Sequence, residues 1–424
     1  MASRINQLTS QLQEQTQSSV VVSENRTSAS KIGVKSQDDV VIVAAVRTPI
    51  TKARRGGLKD TTPDLLLATV LKGILDRTKI NPALVEDIQV GNVLPPGGGA
   101  TQARMAALAA GFPDTTSVCT VNRQCSSGLQ STHYIAAAIA TGTIEIGIGA
   151  GVESMSTQYG NAPAAKVDPK ILAVPSAADC LIPMGITSEN VASDFGVSRE
   201  SQDKLAVASN LKAAKAWASG WYDEEIVPVH TEVIGADGKK TPVTVTRDDG
   251  MRADTTLEGL AKLKPAFKAG GTTTAGNSSQ VSDGAAAVLL MKRSKAQELG
   301  LTILGKFVAF ATAGVPPRVM GIGPAFAIPK VLAHAGITKG DVDIYEINEA
   351  FASQAVYSIE KLGLDYAKVN PKGGAIAIGH PLGCTGARQI ATILPELKRQ
   401  GKKIGVTSMC IGSGMGAASV IERE

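Results

Sequence analysis

The chain has 424 residues, 43% of them hydrophobic and 19% charged, and a mean hydropathy of +0.07, which excludes a disordered or fibrous protein and predicts two or three folded domains. No apolar run reaches the roughly 18 residues that a membrane span needs. The net charge of +5 is spread along the chain without a basic block, which argues against nucleic-acid binding and favours a small anionic ligand.

The first 38 residues are rich in Ser, Gln and Thr and are predicted to form a tail and linker before the folded body. Within them, RINQLTSQL places Arg4 seven residues before Gln11, and Ile5 seven residues before Leu12. On a helix these residues would form one stripe with an apolar centre. The pattern resembles a type 2 peroxisomal targeting signal, which implies a peroxisomal matrix location and an import receptor as a partner.

Two other interpretations of this N-terminal pattern remain. The alternatives to a targeting signal are a frayed tail and a mitochondrial presequence, but presequences are rich in Arg and poor in acidic residues. Here the first 25 residues contain Arg4 as their one arginine, together with Glu14 and Glu24. The C-terminal residues IERE do not match an SKL signal, so import is expected to depend on the N-terminal segment.

From Asp39 onward, strand-length apolar runs alternate with segments of helical periodicity, which predicts an α/β fold with a largely parallel sheet. The predicted strands include VVIVAAV (40–46), DIQVGNVLP, SVCTVN, EIGIGAGVESMS and KKIGVTSMC; the predicted helices include 62–78, LQSTHYIAAAIATG and the segment after GHPLGCTGAR.

The end of the chain repeats the order glycine turn, helix, glycine and strand. When Gly128 is placed against Gly386, Gly142 and Gly401 correspond within one residue, which predicts two similar halves around one site. Residues 157–279 are more polar and are predicted to be an inserted loop domain. The first half would then comprise 39–156 and 280–304, and the second half 305–424.

The five cysteines are odd in number, widely spaced and without a CxxC pair, so we expect reduced thiols and neither a disulfide framework nor a metal site. Cys125, in NRQCSSG, follows a predicted strand and precedes a predicted helix. The positive end of a helix stabilises an anion, so this position predicts a lowered pKa and a nucleophile. A cysteine merely tolerated in a turn is the alternative. Cys119 is predicted to lie in the core.

The chain has four histidines, and a base for Cys125 can be sought among them. His133 lies two helical turns beyond Cys125, about 12 Å away, which is too far for contact. His230 falls in the polar insertion, and His334 in a helical pattern typical of surface or core. His380, at a glycine-rich turn before a helix, is the best candidate, although a structural role remains open.

A second thiol, Cys410, ends a predicted strand in SMCIGSGMG, where exposed backbone N–H groups could stabilise an oxyanion. A dinucleotide-binding loop is the alternative for these glycines, but too few residues follow Gly416 for the required helix and strand. Cys384 is the rival second thiol. In NEAF (348–351), Asn348 and Glu349 are candidates either for the site or for helix capping.

The motifs NRQCSSGLQ, GVESMS, GNSSQVSDGAAA, NEAFA, GGAIAIGHPLGCTGAR and CIGSGMGAA have the order and spacing of the thiolase family, which the chain resembles from about residue 39 onward. The phrase DCLIPMGITSENVA and the N-terminal signal resemble the peroxisomal branch of that family. The resemblance implies two βαβαβαββ halves in a five-layer αβαβα sandwich with an inserted loop domain, assembled as a homodimer. It also implies cleavage of 3-ketoacyl-CoA by coenzyme A, the last step of fatty-acid β-oxidation, with no cofactor.

The same resemblance implies residue roles. Cys125 would attack the 3-keto carbon, His380 would take its proton, and Cys410 would act as acid and then base. One oxyanion hole would comprise His380 and a water held by Asn348, and the other the N–H groups of Cys125 and Gly412. Arg252 and Ser279 match positions beside CoA, while Lys262 and Lys264 are either phosphate contacts or solvated lysines.

Three rival functions stay under consideration. A ketoacyl synthase would need a second histidine where Cys410 stands. A biosynthetic acetoacetyl-CoA thiolase would share the site and differ in pocket width. A non-catalytic acyl-CoA carrier would have no need for Cys125, Asn348, His380 and Cys410 together.

Overall fold

A computed structural model describes residues 30–160 and 166–424. Its strands are β1 (Val40–Arg47), β2 (Thr51–Lys52), β3 (Asp87–Gly91), β4 (Ser117–Val121), β5 (Ile146–Ser154), β6 (Val229–Ile234), β7 (Lys240–Val245), β8 (Ser282–Lys292), β9 (Gly305–Gly314), β10 (Ile344–Ile347), β11 (Ile404–Ile411) and β12 (Met415–Arg423). Its α-helices are α1 (Pro63–Thr78), α2 (Ala100–Ala109), α3 (Ser127–Ala140), α4 (Met155–Gln158), α5 (Pro169–Leu172), α6 (Pro175–Ala178), α7 (Met184–Phe195), α8 (Arg199–Ala218), α9 (Leu257–Ala261), α10 (Arg293–Glu298), α11 (Gly323–Ala335), α12 (Ala352–Leu362), α13 (Ala375–Ile378) and α14 (Thr385–Arg399).

The long strands form one path in the order β4-β3-β5-β8-β1-β9-β12-β11-β10, with β2 added beside β8. β3 runs parallel to β4 and β5, and β10 runs parallel to β11. The remaining neighbours along this path are antiparallel, since β8 and β12 run opposite to the strands on both sides of them. The prediction of a largely parallel sheet is therefore wrong. Reading outward from the β1–β9 junction, β8, β5 and β3 correspond to β12, β11 and β10. The sheet therefore consists of two similar halves.

Alternate side chains of the strands enter different layers because successive residues of a strand face opposite sides. On β8, Ala287 and Leu289 pack with the outer helices α1 and α2, whereas Val288 and Leu290 pack with the central helices α3 and α14. In the second half, β11 and β12 contribute to an outer cluster with α11 and α12. Outer helices, sheet, central helices, sheet and outer helices make five layers, so the predicted fold class is confirmed.

Glycines allow the two central helices to approach closely. A Cβ atom at Gly128 would lie 2.5 Å from the carbonyl oxygen of Gly383 and 3.0 Å from the backbone nitrogen of Ala387. A Cβ atom at Gly386 would in turn lie even closer to the backbone nitrogen of Leu129. The two glycines matched in the sequence comparison therefore both lie where α3 meets α14, between Cys125 and His380 in the central layer.

Between β5 and β8 the chain leaves the sheet, forms α4 to α9 and the β6–β7 hairpin, and returns. A buried ionic cluster joins this insertion to both halves. Arg47 of β1 contacts Glu225 at 2.6 Å and Asp248 at 2.7 Å, and Lys372 contacts Glu225 at 2.6 Å. Tyr222 lies beneath both cations. Removing one member would leave a buried charge without its full set of partners.

Two predictions concern other parts of the chain. Among the described helices, none is both long and apolar enough to cross a membrane. The predicted targeting residues Arg4, Ile5, Gln11 and Leu12 lie outside the described residues.

Candidate active site

Cys125 lies in the turn between β4 and α3. The preceding residue, Gln124, has a left-handed backbone with φ of +46°, which directs the turn sharply into the helix. The Cys125 side chain is 8% exposed, so the thiol is more enclosed than its polar neighbours indicated. Burial raises the pKa of Cys125 to about 11. The predicted lowering of this pKa is therefore wrong, because loss of hydration outweighs the contribution of the helix terminus.

The loop after β11 supplies hydrogen-bond donors to this thiol. The backbone N–H groups of Gly412 and of Cys125 itself both favour the thiolate of Cys125, although burial dominates. Gln124 occupies the place where a side chain at position 412 would lie, and its Nε2 donates to Ser413 Oγ at 3.3 Å. The structure thus brings together the two N–H groups that were predicted to form one oxyanion hole.

His380 has a defined tautomer. Its Nδ1 lies 2.6 Å from Thr385 Oγ1, and the Thr385 hydroxyl donates its own hydrogen to the Pro381 carbonyl at 2.9 Å. Thr385 can therefore only accept from His380, which places the imidazole hydrogen on Nδ1 and leaves a lone pair on Nε2. Burial, with a smaller contribution from Arg388, lowers the pKa of His380 to about 3. The neutral ring can act as a base through Nε2.

Asn348 lies directly after β10 and contacts Nε2 of His380. Its Nδ2 is 3.4 Å from His380 Nε2. Its Oδ1 is buried without a hydrogen-bond partner among the described residues. Helix capping does not explain Asn348, since Phe351 is the N-cap residue of α12. Glu349 is likewise occupied elsewhere, accepting hydrogen bonds from Ser209, Asn370 and the Ile376 backbone.

Cys410 is the penultimate residue of β11 and is fully buried. Its Sγ donates to Gln354 Oε1 at 2.7 Å, and Gln354 Nε2 donates to the backbone carbonyl of Asn348 at 3.0 Å. Burial, followed by the charge of Cys125, raises the pKa of Cys410 well above its ordinary value. Cys410 is thus linked to Cys125 by electrostatics and to His380 through Gln354 and Asn348.

The rival thiol, Cys384, has a different environment. It packs in the apolar central cluster with α3 and α14, and burial raises its pKa to about 12. Cys119, predicted to be core, is exposed on β4, so that prediction is wrong. Cys119 is exposed because β4 is an edge strand: it pairs with β3 on one side, and no described strand pairs with its other side.

The other histidines lie away from this cluster. The His133 ring stacks on Phe310 with centroids 4.2 Å apart, His230 contacts Thr244 in the β6–β7 hairpin, and His334 is exposed beside the Phe310 carbonyl.

The two predicted CoA contacts lie in the insertion and at its end. The backbone N–H of Ser279 donates to the carbonyl of Ala350, which packs against Cys410. Arg252 is exposed, and its backbone N–H donates to Asn210 Oδ1 on α8. Lys262 and Lys264 are both exposed. Ser279 is thus close to Cys410, whereas Arg252 lies at the outer surface.

Glu153, at the end of β5, joins the two halves beneath the site. Its carboxylate accepts hydrogen bonds from the backbone N–H groups of Val93, Leu94 and Gly383 at 3.0 to 3.1 Å. Burial raises its pKa to about 7 despite these donors. The sequence analysis missed Glu153, Thr385 and Gln354. The available signal was their position inside GVES, GCTGAR and the helix after NEAF.

Comparison with known proteins adds to this geometry. Residues 40–294 match the model of the thiolase N-terminal domain, and residues 301–423 match that of the thiolase C-terminal domain. The chain belongs to the thiolase family. Among similar thiolases, the Homo sapiens peroxisomal 3-ketoacyl-CoA thiolase is 59% identical over 388 residues, 91% of each chain. The Rattus norvegicus peroxisomal 3-ketoacyl-CoA thiolase A is also 59% identical over 388 residues, 91% of this chain and 89% of the relative.

Solved thiolase structures agree with the fold. The dimeric peroxisomal thiolase of Saccharomyces cerevisiae is 50% identical and superposes with a TM-score of 0.86 over 92% of this chain and 99% of that one. The Bacillus anthracis acetyl-CoA acetyltransferase is 40% identical, with a TM-score of 0.82 over 91% of this chain and 99% of that one.

Proposed function

We propose that this thiolase cleaves 3-ketoacyl-CoA with coenzyme A, yielding acetyl-CoA and a shortened acyl-CoA, in peroxisomal fatty-acid β-oxidation. The observation that carries the proposal is the 59% identity to peroxisomal 3-ketoacyl-CoA thiolases over 91% of the chain. The identity to an acetyl-CoA acetyltransferase is lower, at 40%, which disfavours the biosynthetic alternative.

The first half of the reaction begins at Cys125. Because its pKa is raised to about 11, the thiol is protonated at neutral pH and must lose its proton as it attacks. His380 is neutral and carries a lone pair on Nε2, so it can take that proton while Cys125 Sγ bonds to the 3-keto carbon. The negatively charged oxygen of the adduct is stabilised by one of the two predicted oxyanion holes, because hydrogen-bond donors that are already in place stabilise a charge as it develops.

The second half depends on Cys410. When the bond between C2 and C3 breaks, its electron pair stays with the acetyl-CoA fragment as an enolate, and Cys410 gives its proton to C2. The incoming CoA thiol then gives its proton to the Cys410 thiolate, and the CoA sulfur attacks the acyl group on Cys125. The bond between the acyl carbon and Cys125 Sγ breaks, and the departing sulfur takes back the proton that His380 holds. Because burial raises the pKa of Cys410 well above its ordinary value, the Cys410 thiolate is a strong enough base to take the proton of the CoA thiol. In this proposal coenzyme A is a substrate, held by Arg252 and Ser279.

The test of this function is cleavage by the purified protein across 3-ketoacyl-CoA chain lengths, with acetyl-CoA and the shortened product separated by chromatography. We expect CoA-dependent cleavage, and Cys125→Ala as the matched control should abolish it. Absence of cleavage at every chain length would refute the proposal.

Import is proposed to depend on the N-terminal pattern that contains Arg4, Ile5, Gln11 and Leu12, recognised by the receptor for type 2 signals. Deleting residues 1–12 from a fluorescent fusion should leave the protein in the cytosol while the intact fusion enters peroxisomes. Continued import of the truncated protein would contradict this proposal.

The thiolase is further proposed to act as a homodimer, as its Saccharomyces cerevisiae relative is dimeric. Within the described part of the chain, β4 pairs with β3 alone, which leaves one side of β4 available to another strand. On the adjacent α2, Met105 is 58% exposed and Leu108 is 43% exposed. An open strand edge beside exposed apolar side chains suits an interface between two copies.

A further inference from the structure

Gln354 joins two residues of the active site through one amide group. It lies in the first turn of α12 and is 1% exposed. Its Nε2 donates to the backbone carbonyl of Asn348 at 3.0 Å, and its Oε1 accepts from Cys410 Sγ at 2.7 Å. The orientation of the amide follows from its partners: a carbonyl cannot donate, so the NH₂ group must face Asn348 and the oxygen must face Cys410.

We propose that Gln354 is a positioning residue that orients the Sγ–H of Cys410 and ties it to Asn348, so that the acid and the Asn348–His380 pair keep one fixed arrangement. This inference deepens the proposed thiolytic function and rests on it. Gln354 itself neither gives nor takes a proton.

The surroundings of Cys410 explain why such a partner is needed. The thiol packs against Met320 and Ala350 in an apolar cluster. A thiol hydrogen can rotate about the Cβ–Sγ bond, and an apolar wall offers no preferred direction. The Gln354 oxygen is an acceptor at a fixed place, held there by the bond from Nε2 to Asn348.

The hydrogen bond between Cys410 and Gln354 breaks and forms again in each turnover. Cys410 Sγ–H gives its proton to C2 of the enolate, which breaks the hydrogen bond to Gln354 and leaves a thiolate. The CoA thiol then returns a proton to Sγ. Because Nε2 remains bonded to Asn348, Oε1 still faces Cys410, and the restored S–H bond returns to its original direction.

A purely structural role for Gln354 is the competing explanation. The stem of the side chain is closely packed, since a Cβ atom at Gly321 would lie 2.7 Å from Gln354 Cβ. Gln354→Met keeps a stem of similar length and removes the amide, so it separates packing from hydrogen bonding. Gln389→Met is the matched control, because Gln389 is also buried and donates from Nε2 to the carbonyls of Glu346 and Ser408.

The decisive measurement compares the chemistry of Cys410 with that of Cys125. Exchange of the acetyl-CoA methyl protons for deuterium in D₂O, followed by NMR, reports proton transfer by Cys410. Alkylation of Cys125, followed by mass spectrometry, reports an intact nucleophile. For Gln354→Met we expect exchange and kcat to fall about tenfold or more, with unchanged KM for 3-ketoacyl-CoA and unchanged Cys125 alkylation. Gln389→Met should leave exchange at the wild-type rate.

Gln354→Glu provides a rescue test. When protonated, the carboxyl can donate to Asn348 and accept from Cys410, as the amide does; when ionised, it repels the Asn348 carbonyl. Exchange by this variant should therefore recover as the pH falls, whereas the wild type should not show this rise.

Several results would overturn the role of Gln354: wild-type exchange in Gln354→Met, an equal loss of exchange and Cys125 alkylation, or the same defect in Gln389→Met. Failure of the proposed substrate would be distinguishable. In that case the wild type would exchange acetyl-CoA protons but cleave no 3-ketoacyl-CoA.

Discussion

Nδ1 of His380 lies 2.6 Å from Oγ1 of Thr385, and this contact determines which imidazole nitrogen can accept a proton. Thr385→Val removes the acceptor and leaves the tautomer unfixed, so we expect kcat to fall about tenfold with little change in KM. Steady-state kinetics measure the effect. Thr392→Val is the control, since Thr392 lies on the same helix and bonds to Glu225. It should reduce stability and leave kcat unchanged; equal kcat losses in both variants would contradict the role of Thr385.

The raised pKa of Cys125 predicts a particular pH dependence of its alkylation. With a pKa of about 11, the thiolate fraction at pH 7 is about 10⁻⁴ and rises about tenfold with each pH unit. The rate of modification by iodoacetamide in the absence of substrate should therefore climb from pH 7 to 10 without a plateau. Mass spectrometry can compare Cys125 with exposed Cys119 and Cys180 in the same sample. A plateau near pH 8 or below would mean that the thiol is activated before substrate binds.

Lys372→Met should destabilise the protein by about 3 kcal/mol, because it removes one of the two cations that bind buried Glu225. Urea unfolding measures the change. The neighbouring residue Glu224 supplies the control: its partner Lys398 is 64% exposed, so Lys398→Met should change stability by no more than about 0.5 kcal/mol. Similar effects of the two substitutions would contradict the importance of the buried cluster.

The buried ionic cluster also makes the stability of the protein depend on pH, and the direction of that dependence can be predicted. Burial opposes ionisation of Glu225, but Lys372 and Arg47 outweigh it and hold its pKa below the ordinary value. The stabilisation is present above the unfolded-state pKa and is lost as the pH falls through the folded-state pKa. In Lys372→Met the folded-state pKa of Glu225 rises, so acid unfolding should begin at higher pH than in the wild type.

Met105→Glu combined with Leu108→Glu should convert the proposed dimer into a monomer, because each carboxylate would be buried against the partner copy. Light scattering during size-exclusion chromatography gives the mass. Leu211→Glu, at a 47% exposed position on α8, should leave the dimer intact. A dimer that survives the double substitution would place the interface elsewhere.

The sequence predicted those features that depend on local pattern. The buried strand predicted at 40–46, the helix predicted at 62–78 and the correspondence between Gly128 and Gly386 follow from apolar runs, helical periodicity and glycine turns, and the structure has each of them. The structure also places Asn348 beside His380, and Gly412 N–H beside Cys125.

The remaining features depend on contacts between distant segments. The pKa of Cys125 was predicted in the wrong direction because burial of the thiol, which the local sequence does not show, outweighs the lowering by the N–H groups of Gly412 and of Cys125 itself. The tautomer of His380 depends on the rotamer of Thr385, and the direction of the Cys410 hydrogen depends on that of Gln354. Rotamers of this kind are set by packing, and sequence spacing does not encode them.

The position of β12 in the sheet determines when the site can be assembled. β11, which carries Cys410, joins the rest of the sheet through β12, although β12 follows it in sequence. During synthesis, Cys125 therefore emerges long before Cys410 and before β12, the strand through which β11 joins the rest of the sheet. A growing chain would carry an unpaired nucleophile without its acid, and it could not complete a turnover until the final strand had been inserted between β9 and β11.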